Sequence, residues 1–323
     1  MKKLVCTYFD HNYLARGLAL LESLFLHNPD FTVVVLCIDE ITERTMREKF
    51  PSIHLIDLES YKAETNIEEN RFKNKKEFLF SVTPNLCLMA LRLYPDVETL
   101  LYLDADVYIY GNLDSIYDEL GQYSIGVCSH RHGRIIKLLT KDYGEYNVGV
   151  NLFKNNLIGR NCLEHWKAQC DEWHPQLEGY PLTFFSDQIF LNSWPTHFKG
   201  VFTEIRNIGV NVAPWNARTF PFKMKNGKFF IKDQPLLIYH FSSLSKVGVS
   251  RWDVNTEMAF FYLNSALESL YCSYIRHLEK FELENINHAK LDTKISVKKR
   301  LFCFLMRRKI KSVITVPLSP QNY

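Results

Sequence analysis

The first half of the chain alternates between short apolar runs and longer segments in which apolar residues recur every three or four positions. Short runs of aliphatic and β-branched residues are typical of buried strands, whereas the longer spacing is typical of amphipathic helices. The pattern predicts strands at 4–8, 31–38, 53–58 and 100–103, helices at 13–26, 42–50 and 83–93, and a polar loop or lid over 59–77. Such alternation indicates a parallel, doubly wound α/β sheet that binds ligands at the carboxyl ends of its strands.

The second half is less regular but carries the same two kinds of pattern. It predicts strands at 124–128, 148–153 and 236–240, and helices at 159–173, 186–192 and 257–283. We expect a principal α/β domain over residues 1–255 and a helical C-terminal extension over 256–323.

Two acidic residues end the predicted strand Leu100–Leu103. Side chains alternate across a strand, so Asp104 and Asp106, two residues apart, point the same way and can converge on one point. Paired carboxylates there suit Mg²⁺ or Mn²⁺, with other metal positions left for substrate phosphates. The alternative is that Asp-Ala-Asp only ends a strand and caps a turn, because such short matches are common by chance.

Polar side chains also follow two other predicted strands. The segment 6–13 closes the first strand, where polar groups could contact a base and a ribose, with Tyr13 stacking on the base. An ordinary loop in which Asp10 caps the next helix explains this segment equally well. His240 is a candidate third metal ligand and Lys246 a candidate partner for a diphosphate, although a core histidine and a solvated lysine are the ordinary alternatives.

Amide and acidic side chains mark two more segments. Asn147 and Gly149 lie at the start of a strand, where amides can donate to sugar hydroxyls; a glycine needed for close packing is the alternative. Asp187 and Gln188 offer one charged and one neutral acceptor beside a reacting carbon, in a segment that could otherwise simply begin a helix.

The order and content of these segments resemble glycosyltransferase family 8, which includes glycogenin and bacterial lipopolysaccharide galactosyltransferases. The resemblance runs from about residue 4 to residue 248, and its most specific piece is Tyr-Leu-Asp-Ala-Asp at 102–106 followed by Gly-Asn-Leu at 111–113. It implies a GT-A fold, that is, a Rossmann-like, mixed and mostly parallel sheet flanked by helices. It also implies a UDP-sugar donor and a glycan or lipid-linked acceptor, as in bacterial surface polysaccharide assembly.

The same resemblance implies roles for individual residues. Asp104, Asp106 and His240 would bind Mn²⁺ (or Mg²⁺), with Asp106 also near the donor ribose, and Lys246 would contact the diphosphate. The remaining implied contacts are those of Thr7, Asp10 and Tyr13 with uridine, of Asn147 and Gly149 with the sugar, and of Asp187 and Gln188 with the anomeric centre.

The resemblance further implies transfer with retention of anomeric configuration. No strongly basic carboxylate is then required, and Gln188 would stabilise an oxocarbenium-like state. An inverting enzyme would need a positioned base, and Asp187 could serve. Lys246, with His130 or Arg131, would stabilise the charge that develops on the departing diphosphate.

The chain departs from the family pattern in two places. Ser243 and Val247-Gly248 replace a glycine and a Pro-Trp pair around the late lysine. The arginine common in the helix before the Asp-x-Asp strand has no clear counterpart, since Thr83 and Asn85 stand near its place. Segment 211–218 is an additional candidate for lining the pocket.

Composition narrows the class of protein. The 323 residues, 46% of them hydrophobic, are enough for a large core. The formal net charge of +3 combines a mildly acidic body with a basic tail and does not indicate a nucleic-acid-binding protein. Eight scattered cysteines and an N-terminus without a signal peptide predict a reducing cytoplasm. No apolar run approaches the ~20 residues that span a bilayer.

The basic tail, residues 296–312, places six apolar residues between two clusters of lysine and arginine. This arrangement predicts a helix in the headgroup region of an anionic membrane, which would hold the protein peripherally at the cytoplasmic face. A terminal helix packed on the body is the alternative.

Two other functions fit parts of the sequence. A haloacid-dehalogenase-type phosphatase also places Asp-x-Asp after an apolar strand, but this chain has Tyr108 where that class carries Thr or Val, and it lacks a convincing downstream acid pair. A non-catalytic nucleotide-sugar or glycan-binding protein would keep the fold without turnover, and the departures above are compatible with it.

Overall fold

A seven-stranded mixed sheet forms the centre of the molecule. The structure is a computed structural model, and it describes residues 2–72, 74–133, 144–171, 187–217, 219–248, 250–254, 263–284 and 313–316. The sheet contains β1 (Lys3–Phe9), β2 (Thr32–Cys37), β3 (His54–Asp57), β4 (Thr99–Leu103), β6 (Ile125–Ser129), β7 (Tyr146–Lys154) and β8 (Phe202–Glu204). Their order is β3-β2-β1-β4-β7-β6-β8.

Four of the six pairings in this sheet are parallel, and β7 runs antiparallel to both β4 and β6. The predicted GT-A architecture is therefore confirmed. Smaller sheets are formed by β5 (Val107–Ile109) with β12 (Ile238–His240), by β9 (Phe222–Lys225), β10 (Lys228–Ile231) and β11 (Gln234–Pro235), and by β13 (Ser245–Gly248), β14 (Arg251–Asp253) and β15 (Val313–Thr315).

Helices cover both faces of the central sheet because its inner strands are apolar on both faces. The α-helices are α1 (Leu14–His27), α2 (Glu40–Lys49), α3 (Leu58–Thr65), α4 (Lys75–Leu93), α5 (Asp114–Leu120), α6 (Leu157–Asp171), α7 (Trp194–His197) and α8 (Ser265–Glu284). Along β4, Leu101 and Leu103 share a core with α1 and α8, whereas Leu100 and Tyr102 share a second core with α4 and α6. Each fully buried leucine contributes about 1.5–3 kcal/mol.

The predicted loop over 59–77 is wrong in part, because α3, a 3₁₀ turn (Glu69–Arg71) and the start of α4 lie within it. Helix α3 begins where the Asp57 carboxylate accepts from the backbone N–H of Ser60 at 2.8 Å, a local cap that the surrounding charged residues obscured. Helix α4 begins at Lys75, ahead of the predicted start at residue 83, and continues through Pro84. The tertiary contacts of its apolar residues outweigh the hydrogen bond that proline cannot donate.

Helix α8, within the predicted C-terminal extension, packs on the body beside the end of β12. Tyr274 stacks on Phe241 with ring centroids 3.7 Å apart, and the Tyr271 and Tyr239 hydroxyls lie 3.1 Å apart. The boundary predicted at residue 255 and the basic tail at 296–312 lie outside the described residues. Within the described part, no helix is both long and apolar enough to cross a lipid bilayer.

Candidate active site and metal centre

A cavity of about 650 Å³ opens at the carboxyl ends of β1 and β4. The β1–α1 loop, helix α4, the turn after β4 and the segments 130–132 and 214–215 form its walls. This is the sheet edge at which doubly wound folds bind ligands. Of the predicted site residues, the cavity is lined by Asp10, Tyr13, Asp104, Asp106, His130, Asn147, Asp187, Gln188 and His240.

Asp104, Asp106 and His240 converge on one point of this cavity, where one ligand atom from each lies within 4.8 Å of the others. The Nε2 atom of His240 lies 3.0 Å from Asp106 Oδ1 and 3.8 Å from Asp104 Oδ2. Tyr102 Oη donates to Asp104 Oδ1 at 2.9 Å and so fixes that carboxylate. The three side chains form the predicted candidate metal site.

The reason why the two aspartates converge differs from the one that the sequence suggested. β4 ends at Leu103, and Asp104 to Asp106 form a turn in which the N–H of Val107 donates to the Asp104 carbonyl oxygen at 3.3 Å. Both carboxylates therefore face the cavity because of a tight turn between β4 and β5, not because of strand alternation.

His240 reaches the aspartates through the antiparallel pairing of β5 with β12. In this register His240 lies opposite Val107, and the N–H of Phe241 donates to the Asp106 carbonyl oxygen at 2.8 Å. The pairing fixes the backbone on both sides of the site, so the position of the His240 imidazole relative to the two carboxylates is largely determined by the fold.

The three groups shift one another's protonation. Burial opposes the charged forms of His240 and Asp106, but their close contact outweighs it, so the pKa of His240 lies above its usual range and that of Asp106 below. Burial raises the pKa of Asp104 to about 6. The close contact of His240 with Asp106 thus favours the charged forms of both side chains, whereas burial favours the neutral form of Asp104.

Residues 4–206 match the protein family described as glycosyl transferase family 8. The chain belongs to glycosyltransferase family 8. It is accordingly a glycosyltransferase, and the family assignment agrees with the GT-A topology described above.

Individual proteins that resemble this chain share less than 30% of its sequence. The chain is 27% identical over 259 residues to YfnF of Bacillus subtilis (strain 168), described as uncharacterized, a match that covers 77% of this chain and 84% of YfnF. Galactosyltransferase LgtC, solved with donor and acceptor sugar analogues, is 18% identical with a TM-score of 0.47, covering 76% of this chain and 88% of LgtC. Glycosyltransferase GlyE of Streptococcus pneumoniae TIGR4 is 17% identical with a TM-score of 0.47, covering 91% of this chain and 66% of GlyE.

In this family 8 protein, Asp187 lies at the cavity wall with 3% of its surface exposed. Burial and the nearby charge of Asp104 raise the pKa of Asp187 well above its usual range, although a hydrogen bond with Thr83 opposes the shift. The indole N–H of Trp166 donates to the Asp187 carbonyl oxygen at 3.1 Å and fixes the backbone there. Burial thus favours the neutral form of the Asp187 carboxyl over the carboxylate that a base requires.

Amide groups connect the predicted sugar-facing residues. Asn147 Nδ2 donates to Gln188 Oε1 at 3.3 Å, and Asn147 Oδ1 accepts from the N–H of Gly149 at 3.0 Å. Gly149 itself packs against the ring of His240: a Cβ atom there would lie 2.6 Å from His240 Cε1. The glycine thus makes room for the imidazole.

Of the three residues predicted to contact uridine, two line the cavity and one does not. Asp10 accepts from Lys75 Nζ at 2.9 Å, and Tyr13, 44% exposed, has its pKa raised to about 12 chiefly by the charge of Asp106. Both line the cavity. The Thr7 hydroxyl is fully buried outside the cavity lining, without a hydrogen-bond partner among the described residues.

Three residues predicted to stabilise the diphosphate differ in their placement. Lys246 lies on β13 with its Nζ 5.4 Å from the ring centre of Trp252, outside the cavity lining. His130 lines the cavity, but burial lowers its pKa to about 3, so it is neutral there and supplies no positive charge. The partly buried guanidinium of Arg131 donates to backbone carbonyl oxygens of Asn207, at 3.1 Å, and of Val210. In this geometry Arg131 holds a loop and does not face the cavity.

We expect Arg131→Met to destabilise the fold by about 3 kcal/mol, because it leaves several buried carbonyl oxygens without their charged donor. Urea denaturation compared with wild type measures this change. An unaltered unfolding free energy together with weaker UDP binding would instead favour the donor contact predicted from sequence.

Sequence reasoning missed several residues at this site, including Tyr8, Tyr102, Asn211 and Trp215. Tyr102 lies within the Tyr-Leu-Asp-Ala-Asp motif, but the sequence analysis assigned no role to its hydroxyl. Trp215 packs edge-on against His240, with ring centroids 5.1 Å apart. It belongs to segment 211–218, which the sequence analysis proposed as pocket-lining without assigning roles to its residues. Asn211 contacts His240 directly, as the Nδ1 and Oδ1 atoms lie 3.2 Å apart.

Proposed function

We propose that this enzyme transfers a hexose from a UDP-sugar to a glycan or lipid-linked acceptor, with Mn²⁺ or Mg²⁺ bound by Asp104, Asp106 and His240. The observation that carries the proposal is the convergence of these three side chains at the wall of a 650 Å³ cavity, at the ligand-binding edge of the sheet. Family membership supports the transferase reading over the phosphatase considered from sequence.

The donor set fits a divalent cation. Two carboxylates placed side by side in a largely buried site repel each other, and a cation between them offsets the repulsion. Carboxylates suit both ions, whereas an imidazole ligand favours Mn²⁺ over Mg²⁺. When bound, such an ion supplies Lewis-acid stabilisation of negative charge on the departing diphosphate.

The protein's own side chains then bind and orient the donor. We assign Tyr13 and Asp10, which line the cavity, to the uridine end, with Tyr13 stacking on the base. Lys246 would approach the diphosphate after a movement of β13. Asn147 and Gln188 contact the sugar, and Asp187, whose pKa burial raises, lines the cavity within reach of a sugar hydroxyl.

Retention of anomeric configuration fits this arrangement better than inversion. An inverting reaction needs a carboxylate that accepts a proton from the acceptor. Burial disfavours the charged carboxylate form of Asp187 that such a base requires, and Gln188 carries no charge. Both side chains can stabilise a positively charged sugar or its hydroxyls without removing a proton.

The basic tail at 296–312 is proposed to hold the enzyme peripherally at the cytoplasmic face of an anionic membrane, near a lipid-linked acceptor of surface polysaccharide or lipopolysaccharide assembly. Sedimentation with anionic vesicles tests this proposal. Loss of binding when the seven basic residues become glutamine supports it, and binding that is unchanged by that substitution contradicts it.

Calorimetric titration of UDP with and without Mn²⁺ tests the proposed donor and metal. We expect UDP to bind at least about tenfold more tightly with Mn²⁺ present, because a cation held by Asp104, Asp106 and His240 would offset the negative charge of the diphosphate. Absence of UDP binding under both conditions would overturn the donor assignment. Binding without release of UDP from any of a panel of UDP-hexoses, with water as acceptor, would favour the non-catalytic alternative.

Mn²⁺ affinity should fall as the pH is lowered. The pKa of His240 is raised above 6.5, so below that raised value a proton competes with the metal for Nε2, and affinity falls roughly tenfold per pH unit. Protonation of Asp104, whose pKa is about 6, steepens the fall further. Mn²⁺ titrations between pH 6 and 8.5 measure the slope.

The variant His277→Gln is the matched control for this slope. His277 lies between Glu22 (2.6 Å) and the Tyr108 hydroxyl (3.1 Å) and does not line the cavity. The variant should reproduce the wild-type slope. A flat profile in the wild type would remove His240 from the metal site.

A further inference from the structure

Asn211 is fully buried between two residues of the proposed site. Its Oδ1 lies 3.2 Å from His240 Nδ1, and its Nδ2 donates to Asn147 Oδ1 at 3.0 Å. One amide thus joins a candidate metal ligand to a candidate sugar contact.

The direction of these hydrogen bonds follows from one backbone group. The N–H of Gly149 can only donate, so Asn147 must present its oxygen to it, at 3.0 Å. That same oxygen faces Asn211, which must therefore present its NH₂ group. The Asn211 oxygen is then left for His240, whose Nδ1 must carry the hydrogen. A fixed donor in β7 thereby determines the orientation of both amides and the tautomer of the histidine.

This tautomer leaves Nε2 as the nitrogen that faces Asp104 and Asp106, at 3.8 and 3.0 Å. A metal-binding histidine needs this arrangement, because the nitrogen that bears the hydrogen cannot be the ligand. The other end of the network turns the Asn147 NH₂ group toward Gln188 Oε1. Both halves of the proposed site are oriented together.

We propose that Asn211 is a positioning residue that sets the metal-binding tautomer of His240 and, through the same amide, the orientation of Asn147 toward Gln188. This inference rests on the proposed metal site. It needs a side chain with one donor and one acceptor, and a backbone in the left-handed region, where φ is +52°. Asparagine satisfies both requirements better than other residues with a side-chain oxygen.

The loop around Asn211 is itself held in place, which keeps the amide from turning. Asn216 Nδ2 and Arg131 both donate to the Asn211 carbonyl oxygen, at 3.1 and 3.2 Å. The N–H of Val212 donates to the carbonyl oxygen of Ile238 at 3.0 Å, and the N–H of His240 donates to the carbonyl oxygen of Val212 at 2.7 Å. These two hydrogen bonds connect the loop to β12. The backbone on which Asn211 and His240 lie is thus one hydrogen-bonded unit.

The test uses Asn211→Gly, which removes the amide but tolerates the positive φ. Mn²⁺ affinity in the presence of UDP, measured by calorimetry, should fall about 10- to 100-fold. Asn211→Asp keeps an acceptor for His240 Nδ1–H and should retain affinity within about threefold, while its second oxygen faces Asn147 Oδ1. In that variant we expect kcat for UDP-sugar hydrolysis to fall at least about tenfold with little change in the KM of the donor.

Asn207→Ala is the matched control, because Asn207 Oδ1 accepts from the N–H of Gly209 in the same loop without contacting the site. Its Mn²⁺ affinity should equal that of wild type even if its melting temperature falls. Wild-type Mn²⁺ affinity in Asn211→Gly would overturn the inference. A loss of Mn²⁺ affinity in Asn211→Asp as large as that expected for Asn211→Gly would also overturn it. If the glycine variant does not fold, Asn211→Asp is sufficient as the test. Failure of the wild type to bind Mn²⁺ with UDP would overturn the proposed function itself.

Discussion

Asp106→Asn is expected to abolish metal-dependent UDP binding, with Mn²⁺ affinity reduced at least about 100-fold and UDP-sugar turnover lost in proportion. The substitution keeps the size of the side chain but removes the charge that faces His240 Nε2 at 3.0 Å. The remaining ligands would be one carboxyl and one imidazole, since the amide that replaces Asp106 carries no negative charge. Calorimetry with Mn²⁺ and UDP measures the binding loss, and release of UDP measures turnover.

A matched substitution separates this effect from a general change in surface charge. Asp233→Asn alters an exposed acid that pairs only loosely with Lys223, at 3.6 Å, and should leave both quantities unchanged. Metal-dependent binding that survives Asp106→Asn would show that the two aspartates only shape the turn after β4. The alternative reading of Asp-Ala-Asp as a strand end would then be the better one.

Gly149→Ala should reduce turnover at least about 100-fold, because the added methyl group occupies the place of the His240 ring. A Cβ atom at this position would lie 2.6 Å from His240 Cε1, 2.7 Å from Nδ1 and 2.9 Å from Asn147 Oδ1. Neither side chain can yield without breaking its hydrogen bond, since both belong to the network around Asn211. We expect Mn²⁺ affinity to fall with turnover, and overpacking to lower the unfolding free energy by about 1–3 kcal/mol.

Gly126→Ala is the control for overpacking in the same sheet. Its Cβ would lie 3.0 Å from Leu120 Cδ1 and 3.3 Å from Ile205 Cδ1, against the apolar core and away from the cavity. This variant should lose stability yet keep the Mn²⁺ affinity of wild type. Equal metal affinity in Gly149→Ala and wild type would mean that the ring of His240 can move without loss of the site.

Local signals account for most of what the sequence predicted. Strand–helix alternation, the apolar faces of β1, β2 and β4 and the acidic pair after β4 are properties of short segments. Helix α3 was missed because its cap at Asp57 is one side-chain contact among many charged residues. The start of α4 was predicted too late because its first turn, from Lys75, is charged and resembles the polar segment before it.

Resemblance to family 8 extended the prediction to His240, Asn147, Asp187 and Gln188, which the structure places along one cavity. It was less successful for Arg131 and Thr7. The Arg131 side chain donates to backbone carbonyl oxygens of a loop, and the Thr7 side chain is buried in the core. A motif identifies which residue occupies a position, but the direction of its side chain depends on the backbone around it, and Arg131 has a positive φ of 50°.

The sequence by itself determined the strand–helix alternation of the first half, the apolar character of its buried strands and the presence of a carboxylate pair at a strand end. Only the tertiary structure decided how that pair becomes a site. The turn after β4 aims the two acids, the pairing of β5 with β12 brings His240 to them from a distant part of the chain, and the N–H of Gly149 orients the amides of Asn147 and Asn211. The physical reason is that apolar periodicity is a local property, whereas strand register and the direction of a hydrogen bond are set by whichever distant group the fold places opposite.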